Sequence, residues 1–151
     1  MIAEFLGLSS MLMPSSYTDI KRMEVSDRSI LFSGFACLAF NIFMCIHTRD
    51  SGGLLRMGIG ALVGGIIGVL MFLFGMGFGD VKLMFVMGGW LGIGSFITAL
   101  TAASVLGSMY GFIWLKLVKK KSIKSVLPFV PFLALGSYAA LYFKFLLEGH
   151  L

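Results

Sequence analysis

The sequence predicts an all-α, polytopic membrane protein in which residues 1–151 form one membrane-embedded domain of six transmembrane helices. Three observations predict it. Hydrophobic residues make up 58% of the chain against 13% charged, and the mean hydropathy is +0.98. That is more apolar surface than a soluble domain of this length can bury. Stretches such as 57–79 and 81–115 run almost without charge past the ~18–20 residues that span a bilayer core, and they do not alternate as the strands of a β-barrel would. Basic residues, finally, sort onto one side of the spans so defined. The spans use nearly every residue, so no second, soluble domain is expected.

The first span is expected at 2–16, with Pro14 near its end as a source of bending. It carries Glu4, has no basic residues before it and shows no convincing cleavage site, so it reads as a retained span and not as a removed signal peptide. A polar segment, YTDIKRMEVSDRS at 17–29, follows and holds Asp19, Lys21, Arg22, Glu24, Asp27 and Arg28. The second span covers 30–46, the loop HTRDSGG 47–53, and the third span 54–76. The fourth is expected at 81–96 and the fifth at 97–117, with GIGS at 92–95 as the best turn between them. After the basic loop KLVKKKSIKS at 116–125 comes the sixth span, 126–147, opened by PFVP, where proline suits a first helical turn.

Six spans place 17–29, the corner before Asp80 and the 116–125 loop on one side. That side holds nine basic residues: Lys21, Arg22, Arg28, Lys82, Lys116, Lys119, Lys120, Lys121 and Lys124. The other side holds three, Arg49, Arg56 and Lys144. Basic residues favour the cytoplasm, so the richer side faces inward and both termini face out of a cytoplasmic (inner) membrane. The net charge of +5 thus reports orientation against a lipid bilayer, with no nucleic-acid partner expected.

Small residues recur at helix-contact spacing: Gly60, Gly64 and Gly68, then Gly88 and Gly92, then Gly107 and Gly111. In lipid such steps let helices approach closely, and packing is their simplest purpose. Cys37 and Cys45 form no C-x-x-C pair and read as small buried hydrophobes, so no metal site is expected. His47 and His150 fall on the outer side and are given no role.

The stretch GMGFGDVKL at 75–83 sets a carboxylate, Asp80, between two long apolar runs. An acid at a helix start, followed by Lys82, is a good interfacial cap; it also suits transport or acid–base chemistry. The topology puts Asp19, at the cytoplasmic end of the first span, at the same membrane depth. Two carboxyls brought together share a proton, because both cannot ionise cheaply. One can then activate water while the other polarises a carbonyl. Gly77 and Gly79 carry no Cβ beside Asp80 and leave room for a substrate backbone.

Three stretches together resemble one family. GFGDVKL resembles the G-x-G-D motif and following V-K-[LM] of the type IV prepilin peptidases and their archaeal preflagellin relatives. DIKRMEVSD at 19–27 resembles the stretch carrying that family's first aspartate, and PFVPFLALG at 128–136 is similar to its late P-F-x-P-[FY]-L-A-L-G segment. The resemblance covers essentially the whole chain. It implies a G-x-G-D aspartic protease bundle, a membrane endopeptidase whose catalytic pair is Asp19 and Asp80. It implies substrates that are prepilin-like, Flp-pilin-like or preflagellin-like precursors, cut at the cytoplasmic face behind a short basic leader, and no metal or organic cofactor. Val25-Ser26-Asp27 stands where many bacterial members have I-P-N, which leans toward the archaeal or the short Flp members. The large bacterial enzymes also carry paired C-x-x-C motifs linked to N-methylation; these motifs do not occur in this sequence, and peptidase activity without methyltransferase activity is expected.

Around the pair, Glu24 and Asp27 are candidates to meet the leader's positive charge, and solvated loop acids are the plainer alternative. Lys82 is placed to hold the charge of Asp80 or to meet lipid phosphate. Two other readings compete. A presenilin-like protease cutting inside spans usually has its first aspartate in a Tyr-Asp pair within an apolar helix, whereas Tyr17-Thr18-Asp19 opens a charged segment here. A non-enzymatic small transporter or structural subunit calls for polar residues at mid-span, and Asn41 is the strongest candidate.

Overall fold

A computed structural model of the chain describes residues 2–22, 25, 27–117 and 129–148. Among the described residues every regular element is helical: α1 (Ile2–Arg22), α2 (Asp27–Thr48), α3 (Gly52–Leu73), α4 (Phe78–Leu117) and α5 (Val130–Glu148). Four are long and apolar enough to cross a membrane, over Asp27–Thr48, Gly52–Leu73, Phe78–Ile113 and Val130–Leu147. The chain is a multi-pass membrane protein. Phe32, Phe35, Phe43 and Ile46 of α2 are all exposed, a face suited to lipid.

α1 outlasts the expected first span and continues to Arg22. Pro14 lies inside it without ending it, and the Thr18 hydroxyl donates back to the carbonyls of Pro14 and Ser15. Its inward face is Leu8, Met11, Leu12, Ser15 and Asp19, all buried at helical spacing. Asp19 is therefore the last residue of an otherwise apolar and small stripe.

α4 contains the one break in a long helix, at Gly92, with φ 69° and ψ 172°. Before it, α4 runs antiparallel to α3: Gly60 meets Gly88, Gly64 meets Met84 and Gly68 meets Val81. After it, α4 runs antiparallel to α5, with Gly136 against Ala99 and Ala103 and the rings of Tyr110 and Phe132 5.4 Å apart. A straight α-helix from Asp80 to Tyr110 would be about 45 Å long. Yet the two ends of that stretch both lie by the start of α5, so α4 folds back on itself at Gly92. The expected turn at 92–95 thus falls at its first residue. Arg56 sits against the break, where its Nη2 donates to the Leu91 carbonyl at 3.1 Å and closes the first limb of α4.

The glycine steps seal the α3–α4 contact. A Cβ on Gly60 would collide with the Gly88 carbonyl, and one on Gly88 with the Gly60 carbonyl. At the same end of the bundle as the chain's start, Ser33 donates to the Gly7 carbonyl at 3.0 Å and receives the Trp90 Nε1–H at 3.0 Å. Nearby, Lys144 of α5 pairs with Glu4 of α1 at 2.9 Å. The core, which includes Leu83, Met84, Met87, Leu91, Phe96 and Leu133, lies between this end and the opposite one, where the starts of α2, α4 and α5 meet the end of α1.

Candidate active site

That opposite end is built from backbone first. α3 stops because Gly75 takes φ +98° while the amides of Phe74 and Met76 fold back to the Met71 carbonyl. The chain then turns through Gly77, whose carbonyl accepts the Asp80 amide at 3.1 Å, and α4 begins. Asp80 thereby occupies the first turn of α4, half-buried and facing the end of α1. Its neighbour there is Asp19, near enough for the charge of one carboxyl to act on the other.

Asp19 is 7% exposed. Its Oδ2 accepts the main-chain N–H of Val130, the first residue of α5, at 3.1 Å. Burial pushes its carboxyl above the usual carboxylate range, and the Val130 hydrogen bond works against that push. Two carboxyls within electrostatic reach disfavour ionising together, so one can serve as base while the other serves as acid.

The remaining candidates are placed as follows. Gly77 stays open, with the site of a Cβ 3.8 Å from Oδ2 of Asp80. Gly79 does not: a Cβ there would stand 3.0 Å from the Val25 Cβ, so the space beside Gly79 holds the chain's own side chain. Lys82 turns away from Asp80. Its Nζ pairs with Asp27 at 3.0 Å and lies 5.3 Å from the centre of the Phe78 ring. Asp27 is exposed at the start of α2. Glu24, like Lys119, Lys120 and Lys121, lies outside the described residues. Asn41, the polar residue at mid-span, donates to the Cys37 carbonyl of its own helix at 2.9 Å. Among the described residues no group of three or more His, Cys, Asp or Glu side chains is placed to hold a metal ion.

Sequence reasoning missed the Val130 amide. The signal was present as PFVPF at 128–132, where prolines flank two residues that still have an N–H, Phe129 and Val130. It also missed Lys144 as the partner of Glu4, a pair that joins residues 140 apart in sequence.

The model of the type IV leader peptidase family matches residues 6–112. A prepilin leader peptidase/N-methyltransferase of Aeromonas salmonicida strain A449 is 30% identical over 149 residues, covering 90% of this chain and 47% of that protein. One from Aeromonas hydrophila is likewise 30% identical, covering 90% and 48%. One from Pseudomonas putida is 38% identical over 66 residues, covering 44% and 23%. The chain spans about half the length of the two Aeromonas relatives. No solved structure matches it.

Proposed function

This chain belongs to the type IV leader peptidase family, and we propose on that premise that it is a membrane aspartic endopeptidase that removes the short basic leader from prepilin-like precursors. The observation that carries the reading is the approach of Asp19 and Asp80 to within electrostatic reach of each other. They come from two motifs about sixty residues apart, and they lie at one end of the bundle within electrostatic reach. In the reaction, a water between the carboxyls loses a proton to the ionised one and attacks the scissile carbonyl. The protonated carboxyl hydrogen-bonds the carbonyl oxygen as charge develops there. The departing amine then takes a proton from the pair, which returns to its starting state. The substrate's leader docks beside the start of α2, where Asp27 is exposed, and its hydrophobic helix lies against the bundle. The open space at Gly77 admits the substrate backbone.

The bundle has six spans in this reading, with α1 as the first and α4 counted as two across Gly92. The acid pair faces the cytoplasm of an inner membrane and both termini face out. The main support of the transporter reading, Asn41, spends its side-chain N–H on the Cys37 carbonyl of its own helix.

Co-expression of the chain with a prepilin-type precursor tests the activity. Membranes containing both should yield a shortened precursor whose new N-terminus lies at the start of its hydrophobic helix. An uncut precursor beside well-accumulated protein would reject the reading. Cysteine labelling of Asp27→Cys and Asp50→Cys, in a background without Cys37 and Cys45, tests the spans. The two positions should label from opposite sides, and labelling from one side rejects the six-span arrangement.

A further inference from the structure

We propose that the main-chain amide of Val130 is a positioning group that keeps Asp19 as the ionised member of the pair, leaving Asp80 to hold the proton. This rests on the peptidase reading and adds the assignment of roles within it.

The inference follows from where the first amides of α5 go. Pro131 has no N–H. The amides of Phe132 and Leu133 both donate to the Phe129 carbonyl at 3.1 Å. The Val130 amide remains, and it donates to Oδ2 of Asp19 at 3.1 Å across 111 residues of sequence. A helix start carries partial positive charge on such amides, and α5 has 19 residues. A hydrogen bond to an ionised acceptor is roughly twice as strong as one to a neutral acceptor, so this contact favours the carboxylate form of Asp19. Burial at 7% exposure disfavours charge on Asp19, and by excluding water it also strengthens the one bond that opposes that push.

Asp80 starts its own helix, where the amides of α4 also favour charge. Asp80 also has a main-chain amide at its carboxyl, that of Gly77; the two acids are separated by the Val130 bond, 3.1 Å long and made to a residue only 7% exposed. Other described charges do not reverse this. Lys82 of α4 and Asp27 of α2 are tied to each other. Lys21 of α1 turns to Tyr17, and Arg28 of α2 is exposed. The last turn of α3 contributes no charge, and residues 130–137 of α5 contain no titratable side chain.

Val130→Pro removes the amide at a helix position that accepts proline; Val130→Ala keeps it. Purified protein in detergent is assayed on a prepilin-type precursor across pH. Loss of the amide weakens the ionised form of Asp19, so the acid limb of kcat/KM should move up by about one pH unit in Val130→Pro. The limb should stay in place in Val130→Ala. A Val130→Pro enzyme whose acid limb matches wild type overturns the inference while leaving the peptidase reading intact; a wild-type protein that cuts no precursor overturns the reading itself. Infrared spectroscopy decides the assignment even if Val130→Pro fails to fold. Near the pH optimum, Asp80→Asn should lose a protonated-carboxyl band and Asp19→Asn an ionised-carboxylate band. The opposite pattern overturns the inference.

Discussion

The Nζ of Lys82 lies 3.0 Å from Oδ1 of Asp27, tying the first turn of α4 to the start of α2. Both side chains are well exposed, so the pair contributes little to stability, typically under ~1 kcal/mol. Its place beside Val25 and Gly79 gives it more bearing on substrate entry. Asp27→Lys is expected to slow cleavage of a basic-leader precursor several-fold at low salt, chiefly through KM. Added salt should narrow the gap, because screening acts on exposed charges. Cleavage rates at two ionic strengths check this, and a salt-independent deficit would point to lost structure instead.

The α3–α4 seam predicts an asymmetry among glycines. Gly88 presses on the Gly60 backbone, whereas Gly58 has nothing within 4 Å of a would-be Cβ. Gly88→Ala should destabilise the bundle by about 1–3 kcal/mol, as overpacking does. Gly58→Ala should leave it unchanged or slightly firmer, since alanine is the better helix former. Thermal unfolding of both variants in one detergent compares them.

Glu4 and Lys144 form a different kind of pair, each side chain 15% exposed. Removing one partner leaves a poorly solvated charge, so Lys144→Met should cost about 3 kcal/mol. Glu4→Gln combined with Lys144→Met should recover much of that loss. A double-mutant cycle on unfolding measures the coupling, and simple additivity would contradict a working ion pair.

Asp19 predicts a pH dependence of stability with a definite sign. Its folded-state pKa is raised by burial, with the Val130 bond opposing. Between the ordinary carboxylate value and that raised value, the folded chain binds more protons than the unfolded chain. Stability contributed by this group is therefore lost as pH rises through that window. Asp19→Asn should accordingly melt higher than wild type above that window, and the difference should vanish in acid. Melting curves at several pH values test it.

Much of this was legible in the chain because lipid imposes simple rules. Long apolar runs predict spans, four described helices are long and apolar enough to cross a membrane, and the expected count of spans is what sets Asp19 and Asp80 at one depth. The reversal inside α4 was foreshadowed by glycines at 92 and 94, although only Gly92 adopts the positive φ that turns the chain. The charged residues at 19–22 read as a loop, yet α1 continues through them, because Asp19 falls on the same face as Leu8, Leu12 and Ser15. Two contacts needed the fold. Lys82 looked like a partner for its near neighbour Asp80 but reaches Asp27, 55 residues away. The room at Gly79 looked like substrate clearance but holds Val25. Both depend on how α2 packs on α4, which no local pattern encodes.

The central claim is that Asp19 and Asp80 act as one catalytic pair. The direct measurement is cleavage of a prepilin-type precursor in membranes holding equal, folded amounts of wild type, Asp19→Asn and Asp80→Asn. Each substitution should reduce the rate by more than about 10³-fold, because the two carboxyls act as a unit. Either variant cleaving at the wild-type rate would contradict the account.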